Sequence, residues 1–205
     1  QAKKFARKFQ DGYCLKIDIR HCFETVNHEI LMRKLSKRIR CKKSLWLCEQ
    51  IISHGGVEGK GLPIGNLSSQ HFANFYLDSL DHFCVEKLNI KGFIRYMDDI
   101  LLFSHCKDHL VKVLGELTII LPMMLDQHLK HSATRLVPVS LGIPFLGFRI
   151  FPSFTRFEQS RKRRFIRKWK QLDKAAEETQ QRGFHSLIAW SEQANTRQFR
   201  RNLLQ

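Results

Sequence analysis

A length of 205 residues gives room for one domain, or one domain with a small appendage, and 43% hydrophobic side chains with 16 Phe exclude a chain that lacks a core. No apolar run of about 18 residues occurs, so no membrane-spanning helix is expected. The formal net charge of +16 divides as +8 over residues 1–50, zero over 51–155 and +8 over 156–205. Two basic segments around a neutral middle suit a polyanion gripped from two sides, more than mere solvation of basic helix faces.

The start, Gln1-Ala2-Lys3-Lys4, carries neither an initiator Met nor a signal-peptide pattern and reads as a cut inside a longer protein. Cysteines 14, 22, 41, 48, 84 and 106 form no CxxC pair and no zinc-type spacing. Apolar neighbours around Cys14, Cys48 and Cys84 point to buried thiols in a reducing, cytoplasmic compartment.

Tyr13 to Ile19 alternates Leu15, Ile17 and Ile19 with Cys14, Lys16 and Asp18, the period of a strand. Asn27 caps a predicted helix to about Arg40, and a second helix runs from about Lys43 to Ser53. Gly55-Gly56 breaks that helix, and Gly59 to Pro63 forms a loop. From Asn66 to about Leu88, Phe72, Phe75, Tyr76, Leu80 and Phe83 keep a 3.6 period, predicting a long buried helix. Phe93–Met97 and Ile100–Phe103 read as strands joined at Asp98-Asp99. A helix over 108–121, a strand over Arg135–Val139 and a hairpin over Pro144–Phe151 follow. Beyond Phe157 the chain turns basic, with helices expected over 158–181, 184–193 and 195–204. The order is that of an α+β fold, a split βαβ antiparallel sheet with helices on one face.

Asp18 lies near the end of one apolar strand, and Asp98-Asp99 at a tight turn between two more. Carboxylates there are costly unless compensated. If the strands are neighbours, the three converge on one sheet edge, where hard divalent cations would find carboxylate oxygens. The plainer alternative for Asp98-Asp99 is a turn, which Asp favours.

Tyr96-Met97-Asp98-Asp99 between apolar strands resembles the metal-binding motif of reverse transcriptases. Lys16-Ile17-Asp18-Ile19-Arg20, with Phe23 five positions after Asp18, resembles the family's first palm motif, and Leu146-Gly147-Phe148-Arg149 its primer-grip hairpin. The resemblance covers nearly the whole chain. It implies an RNA-directed DNA polymerase with a catalytic palm over 13–155, a small helical thumb over 156–205, and residues 1–12 as a remnant of fingers that are otherwise largely absent. It implies two Mg²⁺ ions, with Mn²⁺ able to substitute, on Asp18 and Asp98, with Asp99 in support and the Ile19 carbonyl as a further ligand. Implied partners are an RNA template, a DNA or RNA primer and dNTPs, with no membrane. Phe23 matches the position that bars a 2′-hydroxyl, the alternative being a plain core residue. Leu146, Gly147 and Phe148 would form the primer grip, and Lys130 is the nearest candidate general acid, with His128 or His131 as substitutes.

The loop Gly61-Leu62-Pro63-Ile64-Gly65-Asn66-Leu67-Ser68-Ser69-Gln70 departs from the Gln-Gly that most such enzymes carry at Ile64-Gly65. The pattern resembles diversity-generating retroelements, bacterial or phage-encoded, as do Gly142–Phe151 and Gln193-Ala194-Asn195-Thr196. That implies error-prone copying at template adenines, a basic oligomeric accessory protein and a structured retroelement RNA. Ile64, Gly65, Ser69 and Gln70 would then line the nucleotide pocket, while Ser68 equally suits a helix cap. The tail residues Arg161, Arg163, Arg164, Arg167 and Lys168 form a basic helix with Trp169 among them, fit to follow a hybrid duplex by its backbone. The competing readings are a defence-associated or group II intron-like enzyme, and a catalytically silent nucleic-acid-binding relative.

Overall fold

The computed structural model describes residues 1–172 and, beyond them, 183, 184, 187, 188 and 194. Apart from those isolated positions, the helices expected over 184–193 and 195–204, the end of 158–181, and most of Gln193-Ala194-Asn195-Thr196 lie outside the described residues. In chain order come α1 (Ala2–Lys8), β1 (Tyr13–Asp18), α2 (His28–Ser36), α3 (Lys42–Ser53) and α4 (Leu67–His82). A π-helical turn (Phe83–Lys87) extends α4. Then follow β2 (Gly92–Tyr96), β3 (Asp99–Ser104), α5 (Lys107–Leu125), β4 (Arg135–Pro138), β5 (Ile143–Phe145), β6 (Phe148–Ile150), β7 (Thr155–Phe157) and α6 (Gln159–Leu172). The chain divides into two compact units, residues 13–136 and residues 1–12 with those from 137 onward, so the boundary expected at 155/156 falls inside the second unit.

In the unit over 13–136 the strand order is β2-β3-β1-β4, with β1 and β2 both antiparallel to β3. Register places Leu15 opposite Leu102, Ile17 opposite Ile100 and Asp18 opposite Asp99. Because side chains alternate along a strand, Leu15, Ile17, Ile100 and Leu102 turn to one face, and Lys16, Asp18 and Asp99 to the other. The apolar face joins Tyr76, Leu77 and Leu80 of α4 and Leu110, Val113, Leu117 and Leu121 of α5 in a single core. Each such side chain contributes about 1.5–3 kcal/mol on burial, so the core fixes register and thereby the carboxylate face.

The helix ends follow from local chemistry. Asn27 caps α2 by accepting from Ile30 N at 3.1 Å, as its sequence position predicts. The helix stops at Ser36, short of the expected Arg40. Asn66 caps α4 by accepting from Ser68 N at 3.2 Å, so Ser68 is not the cap. α5 runs through Pro122 to Leu125, past the end predicted at 121. Buried Leu121 and Leu125 hold that last turn in the core, and Asp126 closes it with φ 49 and its N–H on Pro122 O.

In the other unit β5-β6-β7 form an antiparallel sheet. The β5–β6 loop is Leu146-Gly147, with φ of 49 and 75, the positive pair of a tight two-residue hairpin. Phe148, Phe157, Phe165 and Trp169 follow one another at ring separations of 5.7, 5.8 and 6.1 Å, a small aromatic core that seats α6.

Candidate active site

The β2–β3 hairpin turns on two residues, Met97 and Asp98, between the paired Tyr96 and Asp99. Met97 takes φ 57, a left-handed conformation that costs a non-glycine residue energy and persists only where neighbours hold it. Arg95 supplies part of that hold. Its guanidinium grips Asp81 of α4 bidentately at 2.7 and 2.6 Å, meets Asn74 Oδ1 at 2.8 Å, and reaches Met97 O at 3.4 Å. The turn carrying Asp98 is therefore tied to α4 through one side chain.

Asp18 and Asp99 face each other across β1 and β3. Burial pushes the Asp18 carboxyl above the usual range, and the Asp98 and Asp99 charges push it further, against Lys130 and Lys16. Lys16 Nζ lies 2.9 Å from Asp99 Oδ1, an ion pair off the hydrogen-bonding direction. Lys130 is held alongside by its backbone N–H on Asp18 O at 2.8 Å, and Ile19 bridges Leu129. Cys22 is buried beside Asp98 and Asp18, and its thiol is pushed up to about 12, chiefly by burial and then by Asp98, so it is neutral.

This donor set fits a magnesium-like cation, which typically binds through one or two carboxylates and completes its shell with water and phosphate oxygens. Among the described residues no group of three or more His, Cys, Asp or Glu is placed to hold a metal ion, so Asp18, Asp98 and Asp99 do not form a three-carboxylate set. With Asp99 shared with Lys16, Asp18 and Asp98 are the carboxylates free to take a cation, and the remaining ligands would come from backbone, water or substrate.

The nucleotide-pocket residues singled out in the sequence come together. Phe23, Ile64, Gly65, Ser69, Gln70 and Asp98 line one pocket of about 390 Å³, with His21, Cys22, Glu24, Pro63 and Asn66. The sequence supplies the fastening: Leu62 N donates to Phe23 O at 2.8 Å, Gly61 N to Val26 O at 2.9 Å, and His28 Nε2 meets Gly61 O at 2.6 Å. Lys60 pairs with Asp126 at 2.7 Å, and Asn27 Nδ2 donates to the same carboxylate at 3.2 Å. Gly65 has φ 88 with open space where a Cβ would stand, so backbone conformation, not crowding by the protein, demands glycine. Ser69 Oγ is buried without a hydrogen-bond partner, and Ile64 is 83% exposed.

Leu146, Gly147, Phe148 and the tail belong to the other unit. Arg161 lies over the Phe148 ring, 5.7 Å from its centre, and a Cβ on Gly147 would collide with the Arg161 side chain. Glu158 N donates to Gly147 O at 3.1 Å. Arg161 thus fastens α6 to the hairpin, while Arg163, Arg164, Arg167 and Lys168 face solvent. Sequence reasoning missed Arg95 and the Lys16–Asp99 pair. A cation two residues before Asp18 on the same strand face was the available signal for the pair.

Residues 2–150 match the family model described as reverse transcriptase (RNA-dependent DNA polymerase). The COX1/OXI3 intron 2 protein of Saccharomyces cerevisiae is 30% identical over 86 residues, 37% of this chain and 10% of that protein. The intron 1 protein is 24% identical over 94 residues, 41% and 11% of the two. Apo telomerase from Candida tropicalis superposes at TM-score 0.62 and 15% identity, over 91% of this chain and 40% of that one. Telomerase from Candida albicans, in complex with a TWJ fragment of telomeric RNA, superposes at 0.59 and 13%, over 92% and 41%. The chain spans about a tenth of the intron proteins and two fifths of the telomerases. At such identities the telomerase likeness shows shared fold alone.

Proposed function

Because the chain belongs to the reverse transcriptase (RNA-dependent DNA polymerase) family, we propose that it carries the catalytic palm of an enzyme that copies an RNA template into DNA. The carrying observation is the pocket that joins Asp98 to Phe23, Ile64, Gly65, Ser69 and Gln70. On this reading Asp18, Asp98 and the Ile19 carbonyl hold two divalent cations. Bound there, the cations would activate a primer 3′-hydroxyl and neutralise the leaving pyrophosphate. Lys16 restrains Asp99, Phe23 walls the pocket against a 2′-hydroxyl, and Lys130 stands beside Asp18 as proton donor. The hairpin at Leu146-Gly147-Phe148 holds the primer, and α6 acts as the start of a thumb.

Two substitutions in the active enzyme test this reading. Asp98→Asn abolishes Mg²⁺-dependent extension with primer-template binding intact, because several kcal/mol of transition-state stabilisation go with one ligand. Phe23→Ala lowers the dNTP-to-rNTP ratio of kcat/KM. Normal extension by the first, together with an unchanged ratio in the second, overturns the assignment.

The finer reading is the diversity-generating type, with its accessory protein and structured RNA as partners. It is supported by Ile64, which brings an apolar, exposed side chain to the pocket and offers no hydrogen bond. One absent hydrogen-bonding group is worth about 1–3 kcal/mol, or roughly ten- to a hundred-fold in misinsertion. Ile64→Gln should therefore reduce errors opposite template adenine in sequenced cDNA. An unaltered error spectrum in an active variant removes this reading. Similarity to the two yeast intron proteins favours the second reading, an intron-type reverse transcriptase.

A further inference from the structure

Between Glu29 and Glu49 the sequence holds no acidic residue and seven basic ones: Arg33, Lys34, Lys37, Arg38, Arg40, Lys42 and Lys43. They lie on the end of α2, the connection and the start of α3. Lys34 turns inward and donates to Tyr76 O and Ser79 Oγ, both at 2.6 Å. The other six are exposed, and among the described residues none forms an ion pair. Structural duty therefore accounts for one cation of the seven.

α3 adds an apolar element to this field. Only Ile52 on it is buried, and its Trp46 and Leu47 stand 60% and 53% exposed. Helical spacing sets Lys43, Trp46, Leu47 and Gln50 on one face, with Lys42 one turn before Trp46. Neither Trp46 nor Leu47 lines the pocket at Asp98. A solvated basic face has no use for an exposed indole. An aromatic plane among unpaired cations is the composition that binds unpaired nucleotides, phosphates on the cations and a base on the ring. A duplex keeps its bases stacked inside and offers the ring nothing comparable.

We propose that the α2–α3 surface, centred on Trp46 with Arg38, Arg40, Lys42 and Lys43, binds an unpaired segment of RNA outside the catalytic pocket. The choice of RNA rests on the polymerase reading, in which single-stranded template must run beyond the copied duplex. Charge complementarity carries the rest.

The test uses the active enzyme with Trp46 kept and every other tryptophan, Trp169 and Trp190 included, changed to Phe. Single-stranded RNA should quench its fluorescence in a saturable way, and a blunt duplex of the same sequence much less. Trp46→Ala should weaken single-stranded RNA binding about five- to a hundred-fold, the range of one lost base stack. Arg38→Gln with Arg40→Gln and Lys42→Gln should lower the log–log salt slope by about two. Extension of a primer-template whose template overhang is only one or two nucleotides should keep its rate in these variants. Binding that saturates with no response at Trp46 overturns the proposal. So does quenching by polyglutamate and not by RNA, which assigns the surface to an acidic protein. Single-stranded DNA that quenches better than RNA overturns the choice of strand. Absence of extension with Trp46 still responding to RNA would count against the polymerase reading and not against this surface.

Discussion

At Asp18 the physical chemistry of the site works against the folded chain. The carboxyl is raised by burial first, then by Asp98, with Lys130 opposing, so ionising it is harder folded than unfolded. The folded state therefore binds more protons than the unfolded one between the ordinary carboxylate range and the raised value, and stability is lost as pH rises through that window. Asp18→Asn removes this cost. In the absence of divalent cation the variant should melt above the parent at pH 7, and the gap should close toward pH 3, where both states of Asp18 are protonated. Mg²⁺ should raise the parent's melting temperature more than the variant's, because the variant keeps Asp98 but has lost the Asp18 charge that a cation would share. A variant that melts below the parent at pH 7 without metal would show that Asp18 is compensated by the fold alone. The same balance explains why Asp18 and its motif were legible in the sequence: a carboxylate on a buried strand has few structural uses.

Elements place these residues with unequal visibility in the sequence. β1 alternates, β3 is a short apolar run directly after Asp98-Asp99, and Asn27 caps the helix it precedes, so the carboxylate hairpin could be read directly. α5 was not readable to its end, since Pro122 looks like a stop and only the burial of Leu125 carries the helix past it. α1 and β7, at 7 and 3 residues, are too short to show a period. The larger omission was Arg95. Its partners Asp81 and Asn74 are 14 and 21 residues away on α4, and no local pattern announces a bond across that distance. Arg95→Met should cost about 1.5–3 kcal/mol, the worth of hydrogen bonds to a charged group, seen as a lower urea midpoint. It should also lower kcat more than it raises KM, since the turn at Met97-Asp98 loses its tie while the pocket at Phe23 keeps its own. Rescue of kcat by Arg95→Lys would be partial, because an ammonium cannot grip Asp81 with two parallel bonds. Wild-type kcat in Arg95→Met would leave Arg95 a structural residue only.

For the whole molecule, charge distribution was the most readable property and its division of labour the least. The two +8 segments are plain in the sequence, but only the structure separates cations with structural partners from those facing solvent. In the first, Lys34 is turned inward. In the second, Arg161 is engaged by the hairpin while Arg163, Arg164, Arg167 and Lys168 remain exposed. The two segments should therefore answer to different nucleic acids. α6 presents exposed cations, Arg163, Arg164, Arg167 and Lys168 among them, without an exposed aromatic, since Phe165 is buried and Trp169 packs on it at 6.1 Å. Such a face reads phosphates and not bases, so changing all four to Gln should weaken binding of an RNA–DNA hybrid equally for every sequence. Each lost phosphate contact removes roughly one unit of log–log salt slope, so the slope should fall by up to about four. Binding of unpaired RNA at Trp46 should change little in that variant, and hybrid binding should change little in the α2–α3 variants, as independent sites require. An unchanged salt slope on the hybrid would mean that the α6 cations only face solvent. Loss of unpaired-RNA binding in the α6 variant would mean that the two basic segments serve one ligand together.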